Sequence, residues 1–102
     1  MKIKANNAKE VFAMNVRITR HAIKRYKERI EKCSDDEAAN SILKIVFLGN
    51  VVSQRKKGAY IEKLIRKNDA VIVAYEYECS NVIVVSVLRA EYERWWKKQA
   101  SS

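Results

Sequence analysis

SDDEAANSILKIVFLGNVVSQRKKGAYIEKLIRK, Ser34 to Lys67, contains the change of hydrophobic period that decides the fold. SDDE is a capping box: Ser34 is the N-cap, Glu37 the third helical residue, and the carboxylates stand beside the positive end of the helix dipole. Ala38, Ala39, Ile42, Leu43, Ile45, Val46 and Phe47 then wrap much of a helical cylinder, which predicts a heavily buried helix over 35–48. Gly49-Asn50 tolerate a left-handed backbone and are read as its C-terminal stop. Past them the period drops to two.

VVSQR, AYIEKLIRK, AVIVAYEYEC and NVIVVSVL are rich in Val, Ile and Tyr and are separated by KKG, Asn68-Asp69 and Ser80-Asn81. They read as a four-stranded antiparallel meander from 51 to 88. In the third run Val71, Val73, Tyr75 and Tyr77 share one face, and Ile72, Ala74, Glu76 and Glu78 the other. The fourth run is apolar on almost both faces and is expected to be central. From Arg89, RAEYERWWKKQ returns to helical spacing, with Tyr92, Trp95 and Trp96 able to lie against the sheet. Upstream, Thr19 caps a helix over 19–32 whose core stripe is Ile23, Tyr26, Ile30 and Cys33. In the N-terminal extension, 1–17, AKEVFAM reads either as a short helical turn or as a strand continuing through NVRI. The expected architecture is one α+β domain over 18–102: two N-terminal helices packed on a four-stranded antiparallel sheet, with a C-terminal helix.

The chain has 102 residues, no proline and two glycines, which suits one compact core rather than two domains or a linker-rich chain. Its longest apolar run, Val82 to Val85, is far below the ~20 residues of a membrane helix, and MKIKANNAKEVFAM lacks the apolar region of a signal peptide. A cytoplasmic protein without a membrane partner is expected. Cys33, Cys79 and one histidine do not have zinc-ligand spacing, so neither metal nor cofactor is implied, and the cysteines read as reduced, semi-buried thiols. Twenty-one Lys and Arg against 12 Asp and Glu give a net charge of +9 and a pI near 9.7. A polyanion is therefore the first partner to consider.

The lone histidine stands in ITRHAIKRYKERI, Ile18 to Ile30. On a helix His21, Arg25 and Arg29 form one file at the border between core and solvent, starting in the first turn, where free N–H groups and the dipole favour an anion. A phosphate there would meet an imidazole, guanidinium groups and amides. Lys24, Lys27, Glu28 and Lys32 decorate the same helix as an ordinary solvated face would.

A strand, then Thr-x-His-Ala-x-x-Arg-Tyr-x-x-Arg, then an acidic-capped helix and strands, resembles a small bacterial and phage family of unknown function with a His-Ala-x-x-Arg-x-x-x-Arg helix. That family is similar to RelE-like and BrnT-like toxins of the barnase, EndoU, colicin and RelE ribonuclease superfamily. The resemblance covers residues 17–89. It implies an α+β domain and, from the toxin relatives, metal-independent RNA cleavage. His21, Arg25 and Arg29 match the helical hallmark, and Ser86 with Arg89 stands where the last strand of such proteins often carries a polar residue. Ile30 replaces the glycine that commonly follows the second arginine.

Cleavage of that kind needs a base for the 2′-hydroxyl, cations for the phosphorane and an acid for the leaving oxygen. His21 would take a proton-transfer role, with Arg25 and Arg29 stabilising charge and Ser86 completing the catalytic set. The second proton-transfer group is open among Tyr60, Tyr75, Tyr77 and a lysine. Arg20, Lys24, Arg55, Lys56, Lys57 and Arg89 are the expected nucleic-acid contacts, and Tyr26, Tyr60, Tyr92, Trp95 and Trp96 are available to stack bases. Two functions are expected: a toxin-type endoribonuclease acting on RNA, or a non-catalytic phage or mobile-element module that binds nucleic acid or a host protein to regulate it. An antitoxin or a host protein would be the protein partner, and an exposed edge strand would serve a homodimer.

Overall fold

The structure is a computed structural model that describes residues 5–6, 10–13, 15–78 and 80–92. In chain order the elements are β1 (Ala5–Asn6), β2 (Glu10–Ala13), β3 (Val16–Ile18), α1 (Arg20–Arg29), α2 (Asp35–Leu48), β4 (Asn50–Lys57), β5 (Tyr60–Lys67), β6 (Ala70–Tyr77) and β7 (Asn81–Arg89), then a 3-10 turn, Ala90–Tyr92. The protein is α+β, with both helices ahead of the long strands. Among the described residues no helix is long and apolar enough to cross a membrane.

The sheet is mixed, which corrects the expected four antiparallel strands. Its body runs β3-β7-β6-β5-β4, and β1 and β2 extend it past β3. Strands β4 to β7 form the expected meander, but β3 joins β7 in parallel, Val16 opposite Val82 and Ile18 opposite Val84. A three-residue strand is too short to display a period of its own, and its partner lies far along the chain. The pairing is driven by burial: Val16 and Ile18 are buried, one on each side of the boundary drawn at residue 17. β7 is central, as its two apolar faces suggested. The expected C-terminal helix is a second correction. β7 continues through Arg89 and is followed by the 3-10 turn; the rest of that stretch, with Trp95 and Trp96, lies outside the described residues, as does Cys79.

Both helices lie on one face of the sheet. Ala22, Ile23 and Tyr26 of α1 and Ala38, Ala39, Ile42, Leu43 and Ile45 of α2 pack against Ile65, Ile72, Ala74, Val84 and Val87. Fully burying Ile18, Ile42 or Ile72 stabilises by about 1.5–3 kcal/mol each. A smaller cluster, Leu64, Val71 and Ala90 with Val73 and Leu88, sits on the opposite face.

Local signals account for the helix starts. Thr19 Oγ1 accepts from the Ala22 amide at 3.1 Å and donates to the Val84 carbonyl at 2.9 Å, so one hydroxyl caps α1 and ties it to β7. The capping box of α2 forms in full, Ser34 Oγ accepting from Glu37 N at 3.1 Å and Glu37 Oε1 from Ser34 N at 3.0 Å. These bonds hold the Glu37 carboxyl below its usual range. α1 stops at Arg29, earlier than expected, where the amides of Ile30 and Glu31 share the Tyr26 carbonyl.

Gly49 is not a left-handed stop. Its φ of −79° and ψ of 172° are extended. What requires glycine is close approach: a Cβ there would lie 2.6 Å from the Ile45 carbonyl oxygen, 2.8 Å from Ile65 Cγ2 and 2.9 Å from the Arg66 carbonyl oxygen. The left-handed backbone occurs instead in the hairpin turns, at Gly58 (φ 60°) and Asn68 (φ 55°).

Candidate nucleic-acid interface

The file on α1 rotates from solvent into the fold. His21 is exposed in the first turn. One turn on, Arg25 is half-buried and its Nη1 donates to Glu28 Oε1 at 2.7 Å. Arg29 is committed to the scaffold: its Nη1 donates to the Val87 carbonyl at 2.8 Å. Since β3 covers β7 only as far as Val84, the next stretch of that edge is met by α1 rather than by a strand, and Arg29 supplies a donor there. Among the described residues no hydrogen bond joins His21 to Arg25, Arg29 or Ser86.

Ser86 faces away from α1. Val73 pairs with Ser86 whereas Ala74 pairs with Val84, so Val85 is an extra residue in β7. Such a bulge reverses the alternation of faces beyond it. Ser86 therefore shares a face with Val73 and Leu88, opposite the helices, while Val84 and Val87 stay beneath them. The structure thus separates the serine from the helical file.

The other basic positions fall into distinct groups. Arg20 and Lys24 are exposed on α1 and line a shallow cleft with Lys27, which is bonded to Asp35 at 2.8 Å; that bond raises the Lys27 pKa. Arg55, Lys56 and Lys57 lie on β4, the outermost strand, where Lys56 is exposed and Lys57 Nζ stands 3.2 Å from Glu62 Oε2. Arg89 ends β7 and pairs with Glu91 at 3.0 Å. α1 sits over β7, and β4 lies three strand spacings away, so the α1 and β4 groups are separated by about 14 Å across the sheet. Tyr26, a candidate for base stacking, is buried and unavailable for it.

On the sheet face opposite the helices, β5 and β6 bring Tyr60 and Tyr75, two of the residues considered for the second proton transfer, together with Glu62, and place them away from His21 on α1. Glu62 stands opposite both Arg55 and Tyr75 in the ladders, and the Tyr60 and Tyr75 rings lie with centroids 4.5 Å apart at 43°. Burial, and next the Glu62 carboxylate, push the Tyr75 phenol above its ordinary pKa. Counting back from the two-residue turns at Gly58-Ala59 and Asn68-Asp69 gives these registers, so the signal was present in turn length.

A different surface borders β4 on the other side. Phe47, Leu48, Val51 and Val52 are exposed around the end of α2 and the start of the edge strand. Comparison with protein-family models, curated proteins and solved structures finds no significant match, so the functional reading rests on this chain's own residues.

Proposed function

We propose that this protein binds RNA through its basic surface, as a nucleic-acid-binding module of toxin-like type. The observation that carries this reading is the net charge of +9 together with two local basic groups, Arg20 with Lys24 on α1 and Arg55 to Lys57 on β4, the last of these paired with Glu62. An extended polyanion can span both, because phosphates recur along it and each group needs only a local contact. The test is fluorescence anisotropy with a labelled RNA oligonucleotide. If four phosphates of a single strand are neutralised, the affinity falls about 50-fold between 50 and 200 mM salt. Paired Arg20→Ala and Lys24→Ala substitutions, or replacement of Lys56 and Lys57, flatten that slope. Absence of binding at the lower salt sinks the reading.

A second reading adds metal-independent RNA cleavage in the manner of the RelE-like toxins. It is favoured by His21, exposed in the first turn of α1 with Arg25 one turn away. His21 would move a proton and Arg25 would stabilise the phosphorane; Arg29 would act through the position of α1 on β7. In EDTA, His21→Ala should slow cleavage at least a hundredfold, the low end of the usual loss for a positioned acid or base. Wild-type protein that leaves RNA intact removes this reading and leaves the binding one standing. For a protein partner, whether an antitoxin, a host protein or a second copy, the exposed apolar residues beside the β4 edge are the surface to mutate.

A further inference from the structure

We propose that the sheet face opposite the helices, around Tyr60, Tyr75 and Tyr77, is a stacking platform that makes the preferred ligand single-stranded nucleic acid. This rests on the nucleic-acid reading above and specifies which form is bound. α1 and α2 cover only one face of the sheet. The other carries Tyr60 on β5 and Tyr75 and Tyr77 on β6, all half-buried, near the Gly58 and Ser80 turns. Around Ala90, at the opposite end, the same face is closed by the Leu64 and Val71 cluster. The tyrosines thus lie on its other half, over which no described helix packs.

Two features point to a nucleic-acid strand as the occupant. The first is the rings. Tyr60 and Tyr75 already pack against each other with ring centroids 4.5 Å apart, and Tyr60 and Tyr77 both line a cleft at the turn end of the sheet, together with Lys56, Ser80 and the carboxylates Glu76 and Glu78. Cross-strand aromatic pairs stabilise sheets by themselves, and part of this packing has that role. The second is charge. By ladder register Arg17, Arg55, Lys57 and Arg66 share this face, against one carboxylate from β3 to β7, Glu62. A hydrophobic or acidic-ring platform would suit a different partner. Aromatic faces bordered by cations suit a strand whose bases stack while its phosphates pass over the rim.

The choice between strand forms follows from base geometry. A duplex buries its base faces in its own stack, and an A-form groove does not admit a flat sheet of tyrosines, whereas an unpaired strand can splay its bases onto them. RNA and DNA single strands share that chemistry, so both are measured.

The experiment measures anisotropy of a labelled 12-mer as single-stranded RNA, single-stranded DNA, an RNA duplex and an abasic strand with the same phosphates. The proteins are wild type, Tyr60→Leu, Tyr75→Leu and the corresponding Phe variants. Wild type should bind either single strand more tightly than the duplex or the abasic strand. Each Leu variant should lose about 5- to 150-fold on the single strands, the range for one stacked base, with little change on the duplex. The Phe variants keep the ring and should bind as wild type. Equal wild-type affinity for single strand, duplex and abasic strand overturns the platform while leaving electrostatic binding intact. Binding to none of them overturns the nucleic-acid reading itself. The abasic comparison uses wild type alone, so it decides the matter even where a Leu variant fails to fold.

Discussion

Replacing Gly49 by alanine tests why the α2–β4 junction needs glycine. The new Cβ would meet the Ile45 and Arg66 carbonyl oxygens at 2.6 and 2.9 Å and Ile65 Cγ2 at 2.8 Å. These approaches are roughly 0.5–1 Å short of comfortable van der Waals separation. Two of the three atoms are backbone, and the third belongs to a core side chain that is 5% exposed, so none can swing aside. Relief requires α2 to back away from β5. Overpacking of this kind costs about 3 kcal/mol, the upper end of its usual range. Alanine also stiffens the unfolded chain, which offsets about 0.4–1 kcal/mol, because the native φ of −79° suits it. The net loss is about 2 kcal/mol. In urea unfolding, with a slope of about 1.5 kcal/mol/M, the midpoint should fall by about 1.3 M at unchanged slope. Gly49→Asn should be worse still. Gly58→Ala is the control: nothing lies within 4 Å of its Cβ and only its φ of 60° is strained, so about 1 kcal/mol is expected, with Gly58→Asn milder. A Gly49→Ala protein as stable as wild type, or a Gly49→Asn protein more stable than Gly49→Ala, refutes the close-approach account.

Arg29→Met keeps the aliphatic stem but removes the donor to Val87, and it should cost about 1–2 kcal/mol in denaturant unfolding. An unchanged midpoint would mean that this bond contributes nothing and would return Arg29 to the ligand-binding file. Glu37 gives a pH signature. Its folded pKa lies below the ordinary 4.5, so its contribution is fully present above that value and is lost as pH falls through the folded pKa. Glu37→Gln should therefore lose stability near neutrality yet unfold less steeply with acid below pH 4.5, and parallel acid profiles for the two proteins would contradict this.

The two helix starts and the β5–β6 turn, which depend on nearby residues, were legible from the chain, whereas the helical spacing after Arg89 misled. Thr19 and Ser34 cap because hydroxyl and amide are only three residues apart, and the Asn68-Asp69 turn sets the β5–β6 register because two residues leave little choice. The basic composition was equally plain. Tertiary structure decided whatever depends on segments distant in sequence. A strand through NVRI was one of two readings of the N-terminal stretch, but only the structure gives β3 its parallel edge on β7 and buries Val16 and Ile18 in the core. Gly49 looked like a left-handed stop; beside the nearby Ile45 carbonyl, what confines it is the Ile65 side chain and the Arg66 carbonyl of β5, which no local rule places there. The candidate site shows the same division. Helical spacing aligned His21, Arg25 and Arg29, but only the packed structure bonds Arg29 to Val87. One extra residue at Val85 sends Ser86 to the other face, because the side-chain period of a strand is two and a single insertion reverses it.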